Sequence, residues 1–235
     1  MTVEDPWTET WTVNWFAALL ADAVSFDQQA QAAAPVDFPT VNRFARAAIT
    51  SAVLAVEAAA NSCMARMEYP AIVVKQLDKL STIDKYDALY ASRFAKNIDR
   101  GSAPFQVVAE LFGFRNRYVH PKLAKIAVRI SIDDKGSKRY EKDAEQQKKA
   151  THLGIPFDFA TWTGEHSRVA VKETILFFNH FFSDLCGLDK QECTALLSLF
   201  AKGAAGTANL LAVHETTILR GAEQTYGVEI KFLSL

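Results

Sequence analysis

Glycine and cysteine are scarce in this chain, and no unbroken apolar run approaches the roughly 20 residues that a membrane span needs. The longest candidate, Trp15 to Leu20, is broken by Asp22. None of the ten glycines falls in a G-x-G-x-x-G run or a phosphate-cradling loop, which argues against a Rossmann-type or P-loop nucleotide turn. Three cysteines, Cys63, Cys186 and Cys193, sit among apolar neighbours at spacings that match no zinc pattern. They read as small buried hydrophobes suited to a reducing compartment. His-Glu-x-x-His and Gly-x-Ser-x-Gly are missing, and His152, His166 and His214 have no ligand-like spacing. No metal and no other cofactor is therefore expected. Lys and Arg do not occur before Arg43, while Glu4, Asp5 and Glu9 do. That is the wrong sign for a secretory leader, so a cytoplasmic protein without a membrane partner is expected. Net charge is nearly absent too, at −1 from 26 basic and 27 acidic residues.

What remains is the composition of a folded protein, 49% hydrophobic and 23% charged, long enough for a substantial core. Helical periodicity covers Trp11 to Ala34 through Trp15, Leu19 and Val24. It covers Val41 to Met67 through Phe44, Ala48, Ala52, Val56, Ala59 and Cys63, with Pro70 as the stop. Ser81 with Asp84 resembles a cap for a helix over Thr82 to Lys96, and Pro104 opens another that runs to His120 before Pro121. Ser167 to Cys186 reads as a strongly apolar helix ending at Gly187, Asp189 with Glu192 caps a helix to about Gly203, and Thr207 to Thr225 reads as the last. Alternation marks Ile126 to Ile132 as a strand, and Val228, Ile230 and Phe232 as its expected partner. Ser137 to Lys149 fits a strand, a solvated helix or a loop. The expected architecture is mainly α: one domain over residues 1–235, an antiparallel bundle from 41–121 and 167–220, an insertion at 122–165, and a small β element near 126–132 and 228–233.

Chemistry concentrates at the end of the fourth helical segment, Phe114-Arg115-Asn116-Arg117-Tyr118-Val119-His120-Pro121-Lys122. Asn116 and His120, four apart, share a helix face, whereas Arg115 and His120 diverge by about 140°. Arginine offers a permanent planar cation for a phosphate, and histidine exchanges protons near neutrality. Two such helices related by a two-fold axis would bring both sets into one cleft.

The order Arg115, polar Asn116, three further residues and His120, late in a helix of an all-α bundle, resembles the R-polar-x-x-x-H signature of the HEPN superfamily (higher eukaryotes and prokaryotes nucleotide-binding). The segment Ala52 to Asn61 is similar to the first core helix of such domains. The resemblance implies a metal-independent endoribonuclease acting as a homodimer and leaving 2′,3′-cyclic phosphate and 5′-hydroxyl ends. In it His120 would handle the 2′-hydroxyl or leaving-group proton, Arg115 would stabilise the phosphorane-like charge, and Asn116 would position His120. It equally admits a non-catalytic module that binds a nucleotide or a protein partner.

Several residues are candidates for support or substrate binding. Glu57 and Asn61 stand four apart in an alanine-rich helix, either as partners for Arg115 or Arg117 or at the edge of the stripe in solvent. Arg117, Tyr118, Lys122 and Lys125 flank the motif. From Arg115 to Ala150 the chain has eleven basic and five acidic residues, leaving −7 for the rest. RNA is the partner such a segment suits, with Tyr140 available to stack, although a mixed charge run is also simply a solvated face. An antitoxin or other regulator, as in toxin–antitoxin or defence systems, would be a second partner.

Overall fold

The computed structural model describes residues 11–34, 37–67, 69–121, 128–134, 136–142, 149–203 and 206–235. In chain order these form β1 (Trp11–Thr12), α1 (Phe16–Ala33), α2 (Phe38–Arg66), α3 (Ala71–Leu77), α4 (Thr82–Phe94), α5 (Ala103–Val119), β2 (Val128–Ile132) and β3 (Lys138–Lys142). A 3₁₀ turn (Phe159–Thr161) and α6 (Gly164–Phe178) follow, with α6 continuing as a π-helical turn (Asn179–Leu185). The chain closes with α7 (Lys190–Leu197), β4 (Leu199–Gly203), β5 (Gly206–Leu210) and α8 (Val213–Tyr226). The fold is mainly helical with small antiparallel sheets.

α2 is the axis. None of its residues from Phe44 to Ala60 is exposed, so burial goes well beyond the single stripe that periodicity marks. Alanines at 45, 48, 52, 55, 59 and 60 are completely buried and let neighbouring helices approach closely. α1 runs antiparallel to it: Asn14 Nδ2, ahead of α1, donates to Ser62 Oγ at 2.7 Å, and Phe26 stacks on Phe44 near the other end. α1 turns Phe16, Leu20 and Val24 inward, whereas Trp15, expected on the core stripe, is exposed ahead of the helix. By length and composition α2 would also suit a membrane span, contrary to the reading of the bare sequence; 61% of its apolar window is buried within the fold, as in a core helix.

The aromatic run of α6 and its π turn supplies the heaviest packing. Phe177, Phe178, Phe181 and Phe182 are all buried, at i, i+4 spacing on two adjoining faces. They meet Phe16, Tyr86, Phe105 and Phe232 mostly edge-on, the geometry that ring quadrupoles prefer. A buried carboxylate ties three helices together. Asp27 of α1 accepts from Ser167 Oγ of α6 at 2.6 Å and from Tyr226 OH of α8 at 2.9 Å. Burial and the neighbouring Asp27 push the Tyr226 hydroxyl well above its ordinary pKa, so it stays a donor.

Three expectations are corrected. β2 forms, but over its described residues it pairs with β3, Ile130 opposite Tyr140, and not with the C-terminal tail. The tail forms no strand because side chains take its backbone groups. Asn179 donates to Glu229 O at 2.7 Å and accepts from Lys231 N at 2.8 Å, while the Glu223 carboxylate accepts from Ile230 N. Alternation nonetheless marks burial correctly, since Ile230 and Phe232 are wholly enclosed. Leu199–Gly203, expected to end one helix, and the start of the helix expected from Thr207 are instead paired antiparallel strands. α7 keeps its capping box on Asp189 and Glu192 but ends at Leu197, where Ser198 turns extended and leads into β4. β4 then pairs with both β5 and β1, Trp11 opposite Ala201. Gly203 and Gly206 at the turn disfavour continued helix by about 1 kcal/mol each.

Asn179→Ala would leave tail groups unmet and lower unfolding free energy by about 1–3 kcal/mol, measured by urea titration. All three cysteines are buried and free. Burial pushes Cys63 and Cys193 up to about 12 and Cys186 up to about 11. Folded protein should accordingly be silent toward a chromogenic disulfide reagent at pH 8, and urea-unfolded protein should titrate three thiols.

Candidate nucleic-acid interface

The motif stands where periodicity expects it, in the last turn of α5. That helix is seated by Phe105, Val108, Leu111 and Phe114, which are buried against the core. His120 leaves helical geometry (φ −120°, ψ 65°) while its N–H still donates to Asn116 O at 3.0 Å. Pro121 follows and cannot extend the ladder. Arg115 is half-buried, whereas Asn116, Arg117 and His120 are exposed. The open imidazole therefore lies beyond the last helical turn, at the C-terminal end of α5.

Arg115 and Asn116 are joined through their side chains. The Arg115 side chain bends, and Nη1 donates to Asn116 Oδ1 at 3.1 Å. Asn116 thus orients the arginine; it is joined to His120 through the main chain and not through the imidazole. The Nε of Arg115 is buried without an acceptor.

A ring of aromatics supports this surface. Arg117 lies 4.4 Å over Phe157, which packs on Phe114, itself 5.5 Å from Trp162. Trp162 meets Phe159, Phe159 meets Tyr118 at 5.3 Å, and Arg46 of α2 lies 5.7 Å over Tyr118. Two guanidinium groups therefore bracket five aromatic rings. The connection ahead of α6 is fastened from both sides. Glu110 of α5 accepts from the backbone N–H of His152 and Leu153, Asn42 of α2 donates to Phe159 O and Trp162 O, and Trp162 Nε1 donates to Pro156 O.

Glu57 and Asn61 do not join the motif. Glu57 is half-buried and has no hydrogen bond or ion pair with Arg115 or Arg117. Asn61 accepts from Lys85 Nζ of α4 at 2.7 Å. They lie roughly 16 and 22 Å along the α2 axis from Arg46, the residue that does reach the motif. Lys122 and Lys125 fall outside the described residues. Arg46 and Asn42 were missed because nothing local distinguishes them; only the packing of α2 against α5 brings them to Tyr118 and its neighbours.

Two clefts, of about 380 and 290 Å³, lie elsewhere, one by Arg168, Lys172 and Tyr226 and the other by Asp84, Arg100 and Phe105. Among the described residues, no cluster of His, Cys, Asp and Glu could hold a metal ion. No family model matches the chain, and no curated protein or solved structure matches it. The site must be read from its own geometry.

One supporting element is pH-sensitive. The Thr163 N–H donates to His166 Nδ1 at 3.0 Å, closing the capping box of α6, so that nitrogen must be unprotonated. Burial, reinforced by Lys149, lowers the His166 pKa from 6.5. A depressed histidine pKa stabilises the fold fully above about 6.5, and this contribution fades as pH falls toward the folded value. Urea midpoints should drop between pH 7.5 and 5.5, and His166→Gln should shrink that drop while retaining a capping side chain.

Proposed function

We propose that this chain is a HEPN-like, RNA-cleaving protein that works as a homodimer. The observation that carries the reading is the Arg115–Asn116 pair beside an open His120: an oriented guanidinium with an unmet Nε, one turn from a proton-transfer group. An anionic ligand would meet the remaining N–H groups of this half-buried guanidinium, whose planar fork suits a phosphate. The segment from Arg115 to Ala150, +6 overall, favours a polyanion.

The chemistry follows from two residue types. His120 Nε2 or Nδ1 takes the proton from a ribose 2′-hydroxyl as O2′ bonds to the adjacent phosphorus. The P–O5′ bond then breaks, O5′ leaves with a proton from a protonated imidazole, and the phosphate closes as a 2′,3′-cyclic diester. One imidazole cannot be base and acid in the same turnover step. A second copy related by a two-fold axis supplies the other, and Arg115 neutralises the equatorial oxygens in the crowded transition state.

His120→Ala and Arg115→Ala should each lower cleavage of a single-stranded RNA by the purified protein by roughly 10²- to 10⁴-fold. A 2′-deoxy substitution at the scissile nucleotide should leave the strand intact. Unchanged cleavage in both variants would overturn the assignment.

A further inference from the structure

We propose that the β2–β3 hairpin is a stacking arm that binds single-stranded RNA beside the motif, a role that rests on the RNA reading for its choice of polyanion. Every described side chain from Val128 to Tyr140 is exposed, so over these residues both faces of the hairpin are open to solvent. One face holds Val128, Ile130, Ile132 and Tyr140, with Ile130 directly opposite Tyr140 and Lys138 opposite Ile132. Tyr140 is 64% exposed and Ile130 56%. Such pairs stabilise a two-stranded ribbon against each other while leaving their outer surfaces free.

The arm is held in shape before any ligand arrives. At its turn Gly136 takes φ +79°, its N–H donates to Asp133 O, and Ser137 N donates to the Asp133 carboxylate at 2.8 Å. A pre-shaped platform loses little entropy on binding. In sequence its root follows the motif: Val128 stands seven positions after Pro121, a reach of at most about 25 Å.

Area and charge select the occupant. Four partly exposed side chains offer on the order of 300 Å² of apolar surface, well short of the roughly 800 Å² per partner of a stable protein interface. A tyrosine ring beside a lysine, within a segment of eleven cations and five acids, instead matches a base and its phosphate.

The test is fluorescence anisotropy with a labelled 12-nucleotide uridine strand that is 2′-O-methylated throughout, added to the full chain. Tyr140→Ala should weaken binding roughly 5- to 100-fold, Tyr140→Phe should restore it, and Lys138→Ala should reduce its salt dependence. Wild-type protein that ignores this strand, or Tyr140→Ala that binds it as wild type does, overturns the arm. So does Ile130→Asp, if it changes the sedimenting mass while RNA affinity stays put, because the arm is then a protein interface. The probe lacks a 2′-hydroxyl, so failure of the cleavage chemistry leaves this readout intact, and failure of the arm leaves the effect of His120→Ala on cleavage intact.

Discussion

The constraint on which the rest depends is the burial of α2 through its middle. A helix with no exposed residue from Phe44 to Ala60 must be covered on every side. The chain covers it with α1, α4, α5, α6 and α7, all within reach of its small side chains. Alanine is what makes this workable, because it favours helix and lets flanking backbones approach. Larger residues occur where a neighbour leaves room: Ile49 and Val53 face Leu111 and Phe114 of α5, and Val56 offers its carbonyl to Tyr86 of α4.

The candidate site is a by-product of that arrangement. α5 must lie along α2 to cover Ile49 and Val53, and its last turn consequently overhangs the start of α2, where Arg46 and Asn42 sit. The segment from Lys149 to Thr163 then closes the gap, held by Glu110 from one helix and Asn42 from the other. Tyr118 and Phe159 are thereby pressed together with Arg46 above them, and Arg117 comes to rest on Phe157. Cations near water and rings beneath them are the natural outcome at the rim of an aromatic core.

How much of this was legible in the sequence depended on how local the deciding interaction is. Asp189 with Glu192 and Ser81 with Asp84 act within one turn, and both caps are present in the fold. Val228, Ile230 and Phe232 carry a genuine alternation of burial, but the alternation could not say what satisfies the backbone. That answer is Asn179, some fifty residues away in a π turn that no local pattern marks. The helices expected to reach Gly203 and to begin at Thr207 fail there for the same reason: the apolar positions suit a strand as well, and pairing of β4 with β1 and β5 settles the matter. Arg115, Asn116 and His120 stand out because suggestive residue types and spacing coincide in six residues, and periodicity places them correctly at the end of α5. The sequence left two places open for Glu57, beside the arginines or at the edge of the stripe, because α2 is long and one residue of it can be beside α5 while another is two or three turns away.

Arg115 shows why the motif differs from ordinary surface charge. A guanidinium at the rim of a core can put all five donors in water at little cost, as the exposure of Arg117 allows. Arg115 instead folds back onto Asn116, hiding its Nε where neither solvent nor protein meets it. The bond fixes the guanidinium beside Asn116. Within one copy the backbone positions of Arg115 and His120 still point about 140° apart, which is why the proposed chemistry draws on a second copy across a two-fold axis. An alanine or an aliphatic residue at 116 would preserve the helix and leave Arg115 free to extend away. A polar second residue is therefore what holds the guanidinium in one orientation, and the unmet Nε is the local cost of that fold-back.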